Sequence, residues 1–279
     1  MGETLAHCGG TRRGGGRTPR PASRRPAPKL VLTADIVVDL RGTCLFYPCA
    51  GEDVYAPVQV FLPYVSSFWF VDLHYSGTVG DRHIRRLAHR HPLAVEPRLE
   101  PVDDPDWEGV MYADPGRPSF LKTATFTRAR SGDPFAVRWC RNHGPAAMLD
   151  LPEPIGVFFY RGDGDGDGGS SIPWLCDARA KWRAYTGRMN AVLDRLVDGG
   201  LIVTDGSNTR LAESTGAPDP YRALGNSLYH RRNSPATAHA EAQPFEDEHG
   251  HRFRCIGHLG PDGHGYGPTL VWQVRKSPA

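Results

Sequence analysis

The sequence predicts an α/β protein: a mostly parallel sheet with helices on both faces and an antiparallel hairpin at the carboxyl end. Three observations point there. First, Leu45-Phe46-Tyr47 is an apolar run, Pro48 to Asp53 a turn, and Val54, Val58, Phe61, Leu62 and Val65 recur at helical spacing before a second apolar run, Phe68 to Val71. Second, Ile155 to Tyr160 and Leu201 to Thr204 are compact apolar runs suited to strands buried on both faces. Third, the alternating stretches 253–259 and 269–274 flank a Gly- and Pro-rich turn, which predicts a closing antiparallel pair.

The first of these units carries the candidate site. Gly51 lies in the turn, and Asp72 follows the second strand about 20 residues later, the separation that nucleoside-binding α/β folds use. Such a site needs a bare backbone where the ligand approaches closely, and a carboxylate able to accept from two ribose hydroxyls. Gly51 and Asp72 are the residues that meet those needs.

Composition sets the class. The chain has 279 residues, is 39% hydrophobic and carries a net charge of +2, values ordinary for a globular protein. Residues 1–29 hold seven basic side chains against Glu3 alone, a local charge of +6 that leaves the body at −4. A duplex-binding face requires a basic body, so nucleic acid is not the expected partner of the folded part. No run reaches the roughly 18 apolar residues of a membrane helix, and the arginines near the amino terminus are followed by no apolar core of a secretory signal. The six cysteines are scattered without a C-x-x-C pair, which argues against a disulfide framework or structural zinc and for reduced thiols in a cytoplasm.

Taken in order, residues 1–29 are a Gly/Arg/Pro-rich tail read as disordered, and 30–279 form a single α/β domain. Residues 30–43 suit a short strand or helix. Ile84, Leu87 and Ala88 line a helix between Thr78 and Pro92, and the nearby histidines fall on no common face. About 92–141 is an insertion: a Pro-punctuated loop over 92–116, then a hairpin of 120–130 and 135–141 around Ser131-Gly132-Asp133-Pro134. Trp182, Tyr185, Met189, Val192, Leu193, Leu196 and Val197 space a helix over 177–198, which Gly199-Gly200 is expected to stop. A short helix is expected around 221–230.

Other candidate positions cluster at strand ends. Arg161 and Asp163 follow the Ile155–Tyr160 strand and Asp205 follows Leu201–Thr204, so all three are substrate-lining candidates. Arg161 can hold an anionic group bidentately, or pair with Asp163. Asp163, Asp165 and Asp167 alternate as calcium ligands do, yet the twelfth position, where an EF-hand needs Glu, is Trp174. A hydrated loop is therefore favoured over a metal site, with a metal-dependent enzyme kept as a rival. Cys49 is read as a small packing residue. His249, His251, His258 and His264 are read as hairpin polar residues without ligand spacing. No catalytic residue is assigned.

The order of strand, glycine turn, helix, strand and Asp, then a strand with a polar loop, a long helix, another strand and a terminal hairpin, resembles the class I S-adenosylmethionine-dependent methyltransferase (Rossmann-like) superfamily, closest to bacterial members, over about residues 44–275. Tyr47-Pro48-Cys49-Ala50-Gly51 looks like its first motif, Asp72 like its ribose-binding acid, and Leu196 to Val203 like its helix-to-fifth-strand junction. The resemblance implies S-adenosylmethionine as cofactor, held by Tyr47, Cys49, Gly51 and Asp72, and a methyl acceptor that is a small molecule. The sequence departs from that pattern in two places. Glu52-Asp53 follows Gly51 directly and would repel the cofactor's carboxylate, although Asp53 is also suited to cap the next helix. Arg161-Gly162-Asp163 stands where amino-methylating members carry Asn/Asp-Pro-Pro-aromatic. A binding or structural module that has lost the cofactor site is the alternative those departures favour.

Overall fold

The computed structural model describes residues 29–33, 36–102, 118–142, 144–161, 188–205, 224, 234–260 and 268–278. At its centre lie β2 (Cys44–Pro48), β3 (Ser67–Val71) and β7 (Ile155–Tyr160), every residue of which is buried. They are the apolar runs of the sequence, and burial on both faces is why they show no alternation. β2 pairs in parallel with β3 on one side and with β7 on the other. β6 (Pro134–Arg141) joins β3 in parallel, and β8 (Leu196–Thr204) joins β7 in parallel.

Antiparallel strands extend both flanks. β5 (Phe120–Thr127) and β4 (Leu93–Pro101) follow β6. On the other side come β11 (Leu270–Arg275), β10 (Arg252–Gly260) and β1 (Lys29–Leu32), with the short β9 (Phe245–Glu246) also on β10. The sheet has eleven strands, ordered β1-β10-β11-β8-β7-β2-β3-β6-β5-β4.

This corrects the expected Rossmann-like, mostly parallel sheet flanked by helices. Among the described residues six strand pairings are antiparallel and four parallel. Helices are few and short: α1 (Tyr55–Phe61), α2 (Asp81–Ala88), α3 (Gly144–Leu149), α4 (Arg188–Arg195) and α5 (Pro235–Glu241). Four of the six antiparallel pairings involve β10 or β11, and the other two lie in the insertion. Residues 93–101, read as a loop for their prolines, form the edge strand β4, where a missing N–H faces no ladder partner. The β4–β5 register slips between Val95 and Arg98, around Pro97. β5 alternates buried and half-buried residues, the signature of an antiparallel strand with one wet face.

Two apolar layers hold the sheet. On one face Tyr47, Phe70 and Phe159 pack with Val58 and Phe61 of α1 and Ile84 and Leu87 of α2. The Tyr47 and Phe159 rings lie 4.7 Å apart, and Phe61 meets Phe159 edge-on at 5.9 Å. On the other face Phe46, Phe158 and Trp272 pack with Met148 of α3, Val192 and Leu193 of α4 and Ala238 of α5. Each such fully buried side chain contributes about 1.5–3 kcal/mol relative to exposure.

The helix expected over 177–198 is also corrected where it is described. α4 ends at Arg195, and Leu196 to Gly200 belong to β8. Gly199-Gly200 is thus no helix stop but part of a bulge, since only Gly156 separates the β7 partners of Leu196 and Leu201. The tail 1–28 and most of 221–230 lie outside the described residues. No helix among those described is long and apolar enough to cross a membrane.

Candidate functional site

The parallel register brings Pro48 beside Val71, and Tyr160 beside Thr204, at one edge of the sheet. Tyr47, Cys49, Gly51, Asp72, Arg161 and Asp205 therefore gather at the carboxyl ends of β2, β3, β7 and β8. Ligands of open α/β sheets bind at that edge, where the strand order reverses. The reversal here is at β2, with β3 on one side and β7 on the other.

Gly51 and Asp72 are in contact. The turn after β2 begins with Cys49 at a φ of 55°, a left-handed conformation rare for a side-chain-bearing residue, and continues to Gly51 at 48°. The Gly51 N–H donates to Asp72 Oδ2 at 2.9 Å, while Asp72 Oδ1 accepts the His74 N–H at 2.8 Å. A carboxylate offers about four acceptor positions, so two remain after these bonds. Ala50 N–H donates to the Val71 carbonyl at 3.1 Å, and the Tyr75 hydroxyl donates to the Gly51 carbonyl at 3.0 Å. The glycine bend is thereby fixed from both sides. Burial, then the charge of Asp72, raises the Tyr75 hydroxyl well above its usual value, so it stays a donor.

Between β2 and β7 the arrangement differs from expectation. Arg161 grips Asp53: Nε donates to Oδ2 at 2.7 Å and Nη2 to Oδ1 at 3.1 Å, while Asp163 lies outside the described residues. The guanidinium side chain is 4% exposed and lies 5.3 Å from the Phe159 ring centre. Tyr47 donates its single O–H to the Arg161 carbonyl oxygen at 2.7 Å, with Asp53 Oδ2 at 3.3 Å. Burial first, and Asp53 second, push the Tyr47 hydroxyl far above its usual value. Asp205 is fully buried and close enough to add to that shift. Asp53 does not cap α1, whose N-cap is Val54 with no side-chain cap bond.

Glu52, the other carboxylate beside the turn, meets His83 of α2, with Oε2 and Nε2 3.1 Å apart. Burial lowers the His83 pKa, outweighing Glu52, which raises it. A neutral imidazole donating from Nε2 also leaves buried Nδ1 as a bare acceptor, and that atom finds no hydrogen-bond partner among the described residues. His83 and Tyr75 were not anticipated from the sequence. The only local signal was an aromatic hydroxyl three residues after Asp72. A histidine on an arginine-rich helix gave none.

The folded state thus prefers neutral His83, whereas the unfolded chain protonates near pH 6.5. Unfolding takes up protons below that pH, so this contribution is complete above about 6.5 and is lost as pH falls toward the lowered folded value. His91 and His258, also lowered chiefly by burial, act with the same sign. The urea midpoint is expected to fall between about pH 6.5 and 5, and His83→Phe to flatten that decline. Parallel curves for the two proteins would remove His83 from the account.

Cys140 is pushed up to about 12 by burial, and Cys44 is raised further for the same reason, so neither is an ionised nucleophile at neutral pH. The four described cysteines are free thiols. No group of metal-ligating side chains occurs among the described residues. Asp163, Asp165 and Asp167 lie outside them, as does His264. Comparison with known protein families, curated proteins and solved structures returns no match for this chain.

Proposed function

We propose that the protein binds S-adenosylmethionine at the carboxyl ends of β2 and β3 and passes its methyl group to a small-molecule acceptor. The observation that carries this reading is the hydrogen bond from Gly51 N–H to Asp72 Oδ2. It ties a side-chain-free bend, where a ligand can approach the backbone, to a carboxylate with two acceptor positions left for a diol. The engagement of Glu52 by His83 and of Asp53 by Arg161 also supports it, because both carboxylates beside the turn are then turned to protein partners. Methyl transfer in such a site gains mainly from holding donor and acceptor in line, so it requires no general base. The free thiols suit a reducing cytoplasm.

A second reading has its own observation. The Arg161–Asp53 pair and the Tyr47 hydroxyl occupy the space between β2 and β7, where an acceptor would otherwise enter. That favours a binding module without chemistry. Titration calorimetry separates the readings. Under the first, S-adenosylmethionine and S-adenosylhomocysteine both release heat, and Asp72→Asn, folded by circular dichroism, binds them at least tenfold more weakly, about 1.4 kcal/mol. Silence from the folded wild-type protein with both compounds removes the cofactor reading.

A further inference from the structure

A cavity of about 790 Å³ opens at the opposite edge of the sheet. β11 runs antiparallel to β8, with Gln273 beside Leu201, so the end of β11 lies near the amino end of β8, away from Gly51 and Asp72. Its lining includes Ile36, Val37, Glu246, Arg252, Arg254 and Arg275. Its volume is in the range of small-molecule sites.

The register concentrates positive charge there. Arg252 stands directly opposite Arg275 in the β10–β11 ladder, and Arg254 opposite Gln273. Like charges facing each other across antiparallel strands destabilise the pair. Arg275 is relieved, since its Nη1 lies 3.1 Å from Asp198 Oδ2. Burial would raise Asp198, but the Lys276 N–H and Arg275 outweigh it and hold that carboxyl below its usual value. Arg252 and Arg254 have no such relief: among the described residues neither finds an ion-pair partner or a side-chain hydrogen bond. Glu246 pairs with Arg252 in the β9–β10 register, and among the described ion pairs the two form none. Two residues apart on one strand, the two arginines share a face at a separation of about 7 Å. Beside them Val37 is 83% exposed, a large apolar side chain held in water at the rim.

We propose that this cavity is a binding site for a small organic oxyanion, with Arg252 and Arg254 holding a phosphate or carboxylate and Ile36 and Val37 covering an apolar body. Arginine forks match both anions bidentately, which is the chemistry the two share. The site is separate from Gly51 and Asp72 and does not depend on what binds there.

Calorimetry with phenyl phosphate, benzoate and inorganic phosphate tests it. At least one aryl anion is expected to bind saturably at or below about 1 mM, and whichever of phenyl phosphate and benzoate binds better identifies the anion. Phenyl phosphate should bind several-fold more tightly than inorganic phosphate. Arg252→Gln with Arg254→Gln should weaken the better aryl anion at least tenfold without lowering the melting temperature. Val37→Asp should weaken the aryl anion, while Asp72→Ala should change nothing. The proposal is overturned by no saturable binding of either aryl anion up to about 10 mM, or by equal binding to the double arginine variant.

Discussion

Asp53→Asn is expected to lower the free energy of unfolding by about 3 kcal/mol, because it takes a charged, doubly bonded carboxylate away from a buried guanidinium. Arg161 is 5% exposed, and its Nε and Nη2 bonds to Asp53 are charge-assisted and parallel. An amide keeps the shape but supplies one weaker acceptor and no charge. The same substitution acts on Tyr47, whose hydroxyl lies 3.3 Å from Asp53 Oδ2. Replacing both partners together, Asp53→Leu with Arg161→Met, should recover most of the loss, since removing a buried pair entirely costs far less than orphaning one member. Urea denaturation of the three proteins checks both statements. A single-variant loss below about 1 kcal/mol would show that the pair is solvated like a surface salt bridge.

Gly156→Ala is expected to destabilise by about 1–3 kcal/mol or more through overpacking. Gly156 is the extra residue of β7 between Ile155, which faces Cys44, and Val157, which faces Leu45. A methyl group at Gly156 would overlap Thr43 Oγ1 and lie 2.9 Å from Thr43 Cβ and 3.2 Å from Leu40 Cβ. Thr43 has little room to retreat, because its hydroxyl donates to the Leu40 carbonyl at 2.6 Å and closes the turn ahead of β2. The bulge is therefore built around a bare backbone. Thr43→Gly in the Gly156→Ala background should restore part of the stability. A Gly156→Ala melting curve that overlays the wild type would contradict this packing. Because β7 leads directly into Arg161, the same variant should disturb the Asp53 pair, so the two losses should not add.

Legibility from the sequence followed the range of the interaction. The apolar runs at 44–48, 67–71 and 155–160 needed no partner to be recognised, since burial on both faces demands unbroken apolar residues. The hairpin of β5 and β6 was equally visible through Ser131-Gly132-Asp133-Pro134 and the alternation around it. Leu93 to Pro101 was not: its prolines read as loop, and only a place at the sheet edge makes them compatible with a strand. Leu196 to Gly200 misled in the other direction. Val192, Leu193, Leu196 and Val197 continue a helical period, but pairing with β7 drew the last two into a strand.

The site divides along the same line. By itself the sequence determined that Gly51 and Asp72 would end neighbouring strands about 20 residues apart, because one strand–helix–strand unit is a local feature of the chain. It also determined that Arg161 and Asp205 would close the next strands. Only the tertiary structure decided that Arg161 would meet Asp53, 108 residues away, and that Glu52 would turn to His83. It alone decided that the sheet would be more antiparallel than parallel, and that Arg252 would face Arg275. The physical reason is common to all of these. Periodicity reports which face of an element is buried, whereas partners and register arise from many distant contacts satisfied at once.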